Sequence, residues 1–471
     1  MKPKNIMLVA GDPSGDANAA DLVRALARAV PAAQFQTTTD AQPLTAPLAP
    51  CFFGAGGPKM AAAGVRLAFD LTADSVIGPG GLIHKLPRIL RRFDQLRRLA
   101  VEIQPEVIIL VDYGEFNLWF ARAVKNYVRS RTGPFFNWNP KIVQFISPQV
   151  WASRPWRAGK MARNLDLVLS LFPFEKKWFS TRVPRLPVEY VGNPIFDRYP
   201  PADSSPSPPC NGGEGRPARR SLGEGGGEVA SSGAWVVDRS LRQSQDAPND
   251  AQPPVVLLLP GSRRGELRRH TPVMVQAARA IAARQEARFI LVVPNEELAG
   301  VARTFLSNAP PRIDLQIGGL QEALLSATVA LAKSGTITLE CAFFRVPAIV
   351  IYKTDWGTYL LGRWLVHVKY LSMPNLLAGE AVYPEFIQGR AAPDAIAAAI
   401  LDLLNTPARR EEVRAKLGQI IQTLGGPGAA RRAAAAIITL MGWGRVSDEP
   451  KKTQRGEGNC MEAPCLPLMK S

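Results

Sequence analysis

The stretch Val329-Ala330-Leu331-Ala332-Lys333-Ser334-Gly335-Thr336-Ile337-Thr338-Leu339-Glu340 decides how the chain is read. Val329 to Ala332 is short, apolar and suited to a buried strand. Ser334-Gly335-Thr336 interrupts it with small residues. From Ile337 the spacing predicts a helix burying Leu339, Phe343 and Phe344. A strand, a tight turn and a helix start together present backbone N–H groups at the carboxyl end of a sheet, a ready phosphate site. Glu340, about one turn into the helix, would then stand where a carboxylate accepts both hydroxyls of a ribose. The alternative is an ordinary strand-to-helix junction with Thr336 as its N-cap.

Outward from this junction the same grammar repeats. Strands are predicted at 6–10, 51–54, 107–111, 141–146, 165–171 and 188–191, then at 255–259, 289–293, 329–332 and 348–352. Helical spacing marks 16–29 and 271–284, and closing helices at 392–404, 409–424 and 429–441. Continuous apolar strands separated by amphipathic helices argue for parallel sheets covered on both faces. Residues 201–253 break the pattern with Ser-Pro, Gly-Gly-Glu-Gly and Gly-Glu-Gly-Gly-Gly-Glu runs. Such a segment has too little apolar surface to offset its ordering entropy and is expected to be a disordered insert; Trp235-Val236-Val237 is its one apolar island.

The expected division is a first Rossmann-like domain over 1–200, the insert over 201–253, a second Rossmann-like domain over 254–391, closing helices over 392–442 and a disordered tail over 443–471. Two such halves facing across a cleft make a GT-B-type glycosyltransferase architecture the expected α/β fold.

Among 471 residues, 57 Lys and Arg against 40 Asp and Glu leave a net charge of +17. That excess suggests an anionic partner. Nucleic acid is disfavoured, since no helix-turn-helix signature, zinc-finger spacing or aromatic RNA-binding motif is present. The 5 cysteines form no CxxC pair and sit in unrelated contexts, as expected in a reducing compartment. No stretch reaches the roughly 18 uninterrupted apolar residues of a membrane span. A soluble or peripheral cytoplasmic protein is therefore expected.

Asp112 ends the run Val107-Ile108-Ile109-Leu110-Val111 and opens Asp-Tyr-Gly-Glu-Phe-Asn. At the carboxyl end of a parallel strand it is either a general base or the N-cap of the next helix. Glu115 and Asn117 either bind sugar hydroxyls or cap the same helix. His84, His270 and His367 accompany no nucleophile, which disfavours a Ser-His-Asp hydrolase. Gly11-Asp12-Pro13-Ser14-Gly15-Asp16 lacks the dinucleotide spacing, so no cofactor is expected. Without an Asp-x-Asp pair to hold a metal on a diphosphate, the helix start at Ser334 and Arg263-Arg264 after Gly261-Ser262 are the candidate substitutes, unless the arginines only line a solvated loop.

Two segments suit a membrane surface. In 82–93 Lys85, Arg88, Arg91 and Arg92 interleave with Leu82, Ile83, Leu86, Ile89 and Leu90, provided Pro87 lies in the first helical turn. In 356–370 Leu360, Leu361, Trp364 and Leu365 accompany Arg363 and Lys369. The alternative, and the commoner case for an arbitrary helix, is that both are core helices with basic outer faces.

Taken together, the motifs resemble the lipid-A-disaccharide synthase family. They are Ala10-Gly11-Asp12-Pro13-Ser14-Gly15-Asp16, Gly56-Gly57-Pro58-Lys59-Met60, Asp112 with Phe116-Asn117, Ser147-Pro148-Gln149-Val150-Trp151-Ala152, Leu171-Phe172-Pro173-Phe174-Glu175-Lys176 and Val191-Gly192-Asn193-Pro194. In the second half they are Leu259-Pro260-Gly261-Ser262-Arg263, Ser334-Gly335-Thr336 with Leu339-Glu340, and Pro374-Asn375-Leu376-Leu377-Ala378-Gly379.

The resemblance implies an inverting, metal-independent transferase. It would join a UDP-2,3-diacylglucosamine donor to the acceptor 2,3-diacylglucosamine 1-phosphate (lipid X), releasing UDP. It also implies Asp112 as general base and Gly261, Ser262, Arg263, Ser334, Gly335, Thr336, Glu340 and Asn375 at UDP. Ser14, Gly15, Asp16, Glu115, Asn117, Ser147 and Gln149 fall on the acceptor side. A peripheral place on the inner face of the inner membrane follows from the acylated substrates, and a homo-oligomer is compatible with it. Three positions depart from the family pattern: Asp12 for a usual Glu, Asn193 for a usual His, and Gly81 where Met-Gly-x-x-Glu has its Glu. Another UDP-sugar enzyme of this architecture, an N-acetylglucosaminyltransferase or a UDP-N-acetylglucosamine 2-epimerase, is the nearest alternative. A catalytically silent nucleotide-sugar binder is the alternative from another class.

Overall fold

The computed structural model describes residues 4–30, 52–72, 79–131, 133, 135–199, 253–306, 310–357, 359–360 and 368–443. The expected insert (all but Pro253), its Trp235 island and the tail beyond 443 lie outside the described residues, as does most of 361–370.

Two wholly parallel sheets carry the molecule. The first holds β1 (Ile6–Ala10), β2 (Phe52–Gly56), β3 (Arg66–Asp70), β4 (Val107–Val111), β5 (Lys141–Phe145), β6 (Leu167–Ser170) and β7 (Val188–Tyr190), in the spatial order β3-β2-β1-β4-β5-β6-β7. The second holds β8 (Val255–Leu259), β9 (Arg288–Val293), β10 (Ile313–Ile317), β11 (Val329–Lys333), β12 (Ala348–Tyr352) and β13 (Glu385–Ile387), in the order β10-β9-β8-β11-β12-β13. Helices cover both faces, so β1, β2 and β4 are buried along their whole length. Burial on both faces is why these strands read as unbroken apolar runs rather than alternating ones. In each sheet the strand order reverses between two neighbours, β1 and β4 in the first and β8 and β11 in the second. Loops at such a reversal diverge to opposite faces and open a crevice at the carboxyl ends of the strands.

Three strands escaped the sequence reading: β3, β10 and β13. Each is an edge strand with half-exposed residues. Helix boundaries shift too. The helix expected at 271–284 begins at Arg264 and carries Pro272 inside, and the helix expected at 16–29 begins at Pro13. Pro87 does not sit in a first turn. It lies inside a helix running from Pro79 to Ile103. Thr336 is not an N-cap: Gly335 takes that place, and the helix Thr336–Phe343 follows.

The halves interlock beyond the covalent link. The helix Ala429–Met441 leaves the second half and packs on the first, where Ala433, Ala434, Ile437 and Ile438 share one buried cluster with Ile6, Leu8, Leu22 and Leu26. Arg432 fixes this return by donating to the carbonyls of Val191, Gly426 and Pro427. In the other direction Phe172, Ile195 and Phe196 of the first half join the buried cluster of Leu257, Leu259 and Phe343.

Candidate active site

Both reversals open onto one cleft of about 580 Å³. Its walls are Ser14, Asp112, Glu115, Ser147, Gln149, Glu175 and Arg198 from the first half, and Ser334, Gly335, Thr336, Glu340 and Met373 from the second. The volume suits a ligand of nucleotide-sugar size.

Asp112 follows β4 with φ at 50°, and Tyr113 follows it with φ at 44°. Two consecutive non-glycine residues in the left-handed region are costly and persist only where their surroundings hold them. Here the clamps are buried amides. Asn117 Nδ2 donates to the Asp112 carbonyl at 2.7 Å, Gln144 Nε2 donates to it at 3.1 Å, and the Asp112 N–H donates to Phe145 O at 3.0 Å. Tyr113, not Asp112, is the N-cap of the helix Gly114–Ser130, so the carboxylate is not used up in capping. Burial pushes its pKa up to about 7, and the nearby Asp12 adds to the rise. The Tyr113 N–H and Arg263 act against them.

Asn117 and Asp16 are corrected as substrate contacts. Asn117 is buried and spends its amide on the Val111 and Asp112 carbonyls. Asp16 is buried and accepts from the N–H groups of Gly57, Lys59 and Met60, anchoring the helix Pro58–Ala62. Gly15 likewise gives its N–H to Asp12 Oδ1, inside the start of its own helix. Glu115 is held by Arg154 and Arg157 at the rim. Gln149 Nε2 reaches Met373 Sδ at 3.6 Å across the cleft.

On the opposite wall Gly335 has φ at 146°, and a Cβ there would meet Lys333 Nζ at 2.8 Å, so the turn needs glycine. The Ser334 hydroxyl donates to Leu371 O at 3.0 Å. Lys333 Nζ donates to Glu266 Oε1 at 2.9 Å, and Glu266 Oε2 accepts from the Ser262 N–H at 3.0 Å. Glu266 thus ties the loop after β8 to the end of β11. At Gly261, φ is 122° and a Cβ would lie 2.3 Å from Glu266 Oε2, so glycine is required there as well. Burial works to raise the Glu266 pKa, but Lys333 and Arg263 prevail and leave it lowered. Arg263 stands 3.8 Å from Asp12 Oδ2, bridging the halves.

Glu340 is nearly buried and accepts from Arg198 Nη1 at 2.6 Å and the Tyr199 hydroxyl at 3.4 Å. Burial raises its pKa against the pull of Arg198. Asn375 is corrected as a nucleotide contact. It is 0% exposed; its amide donates to Tyr383 O and Glu385 Oε1, and its carbonyl accepts from the Tyr383 N–H. It fixes the loop behind Ser334 instead.

Arg198, Gln144 and Glu175 are among the groups that went unassigned in the sequence. Gln144 gave no signal, being one polar residue inside a strand. Glu175 stands in the Phe-Pro-Phe-Glu-Lys motif, 1% exposed, accepting from Trp151 Nε1 at 3.0 Å and the Phe172 N–H at 3.2 Å. Burial lifts its pKa to about 7, opposed by these donors. Its closeness to the motif's prolyl helix start was the available signal.

Comparison with known proteins fits this geometry. The profile of the lipid-A-disaccharide synthetase family matches residues 6–207 and 238–438. The lipid-A-disaccharide synthase of Myxococcus xanthus is 32% identical over 446 residues, covering 94% of this chain and 99% of that protein. The fold is shared more widely. The Neisseria meningitidis UDP-GlcNAc 2-epimerase bound to UDP-GlcNAc superposes with TM-score 0.51 at 11% identity, covering 93% of this chain and 100% of the other. The calicheamicin glycosyltransferase CalG4 gives 0.50 at 14%, covering 95% and 100%. Transferases and epimerases thus share the two-domain GT-B scaffold, and the sequence match separates them. This chain belongs to the lipid-A-disaccharide synthetase family.

Proposed function

We propose that the chain condenses UDP-2,3-diacylglucosamine with 2,3-diacylglucosamine 1-phosphate to give the lipid A disaccharide 1-phosphate and UDP. The observation that carries this reading, with family membership, is that Asp112 and the Ser334-Gly335-Thr336 turn line one cleft from opposite halves. Asp112 takes the proton from the acceptor 6-hydroxyl as that oxygen displaces UDP in line at the anomeric carbon, inverting it. A carboxylate whose pKa is raised to about 7 is well matched to this task near neutral pH. The leaving diphosphate is met without a metal by the N–H groups at the start of the helix Thr336–Phe343 and by Arg263. Glu340 receives the ribose hydroxyls, and Ser14, Glu115, Ser147 and Gln149 flank the acceptor.

Among the described residues no helix is long and apolar enough to cross a membrane. Both substrates carry acyl chains, and peripheral attachment to the inner face of the inner membrane suits them. The exposed Leu90, Trp356 and Leu360 support attachment through the two amphipathic segments. Incubating the purified chain with both acylated substrates, and separately with UDP-N-acetylglucosamine, tests the reading by mass spectrometry of the products. A disaccharide monophosphate is expected. An epimerised UDP-sugar or unchanged substrates would replace this reading with an epimerase or a silent binder.

A further inference from the structure

Beside the catalytic cleft lies a second cavity of about 570 Å³ between the helices Gly114–Ser130 and Arg157–Asn164. It shares Glu115 and Arg157 with the cleft, so the two are adjacent, with that ion pair between them. On the first helix Glu115, Trp119, Arg122, Asn126 and Arg129 recur at intervals of three or four and form one stripe facing the cavity. On the second helix Arg157, Lys160 and Arg163 do the same.

The electrostatics of this groove are lopsided. Five cations line it with one carboxylate, Glu115, which is already held by Arg154 and Arg157. Among the described residues Arg122, Lys160 and Arg163 have no ion-pair partner. Like charges facing one another across a groove repel unless an anion enters, and a concave site concentrates that field. Trp119, on the same stripe and 57% exposed, offers an apolar face next to the cations.

We propose that this groove binds a phosphomonoester, and that its occupant is the phosphate of the sugar acceptor. The assignment rests on the functional reading above. The groove is built entirely from first-half helices, away from the turn at Ser334 that faces the donor. It meets the cleft at Glu115, on the first turn of the helix that follows Asp112. An acceptor lying there directs its hydroxyl to Asp112, its phosphate to Arg122, Lys160 and Arg163, and part of its apolar body to Trp119. A phosphomonoester supplies nearly two negative charges and three acceptor oxygens, which suits several separate cations better than a carboxylate does.

The test is the double variant R122Q/K160Q, whose side chains are exposed and whose replacement is expected to leave the fold intact. Its KM for lipid X is expected to rise about 10-fold or more, with the donor KM unchanged. With diacylglucosamine lacking the phosphate, variant and wild type are expected to be alike. Titration of glucosamine 1-phosphate, followed by tryptophan fluorescence and calorimetry, reads the groove without turnover, so it stands even if the transferase reading fails. The variant is expected to bind it about 10-fold more weakly. Sedimentation with phosphatidylglycerol vesicles separates the other source of phosphate. Unchanged vesicle binding with a raised acceptor KM supports the proposal. Lost vesicle binding with an unchanged acceptor KM, or unaltered glucosamine 1-phosphate affinity, overturns it.

Discussion

The strand reversal of the first sheet and that of the second occupy equivalent places, yet they carry opposite charge. At β1 and β4 the loops bring Asp12 and Asp112 together in a buried setting, and the result is a carboxyl group held protonated up to about 7. At β8 and β11 the loops bring Lys333 and Arg263 around Glu266, and the result is a carboxylate kept ionised below its ordinary range. On the proposed function, one scaffold position would serve as a proton acceptor in one half and as a cradle for an anion in the other. The difference comes from which charges neighbour the acid, since both acids are largely withdrawn from water.

Asp112→Asn attacks the first side of the comparison, and the largest effect is expected there. A neutral amide cannot accept the proton, so turnover should fall by about 10² to 10⁴ while UDP binding measured by calorimetry stays as in wild type. In the wild-type enzyme kcat/KM should climb with pH through about 7 and then level off, because the protonated acid is inactive. Full turnover in the variant would remove Asp112 from the base role. Glu340→Ala probes the second side. Its donor KM should rise about 10-fold with little change for the acceptor, and the reverse pattern in steady-state kinetics would misplace the nucleotide.

A change in stability rather than turnover asks whether burial alone lifts a carboxyl group in the first-half wall. Glu175 does so without an acidic neighbour among its causes. Its acid stays protonated in the folded chain to about 7 but ionises near 4.5 when unfolded, so folding binds a proton between those values and wild-type stability falls as pH rises. Relative to wild type, Glu175→Gln should therefore gain up to about 1.4 kcal/mol per pH unit across that window and hold a constant offset outside it. Denaturant titrations at several pH values measure the slope, and a flat difference would show that Glu175 is ionised in the fold.

Which parts were legible in the sequence follows from how each is buried. The central strands β1, β4, β8, β11 and β12 are enclosed on both faces, and two-sided burial selects an apolar run that any reader detects. The edge strands β3, β10 and β13 are half exposed and carry Asp70, Asp314 and Glu385 in short segments, so composition alone does not separate them from loops. In the site, Asp112 and Ser334 were legible because strand ends are positions, and positions follow from the strands. Asn117, Asp16 and Asn375 were misread because residue type says nothing of direction. Each spends its polar atoms on neighbouring backbone inside its own half rather than on the cleft. Gln144 was invisible for the same reason.

The returning helix Ala429–Met441 also bears on how the protein is made. A ribosome delivers the first sheet early, but the apolar surface around Ile6, Leu22 and Leu26 gains its cover only when Ile437 and Ile438 have emerged. Until then the nascent first half presents an unfinished face while the second half is still being synthesised. A surface of that kind is a natural substrate for chaperones and a point where a neighbouring chain's last helix can dock in place of its own. The order of synthesis therefore leaves the first domain waiting on residues near the end of the fold.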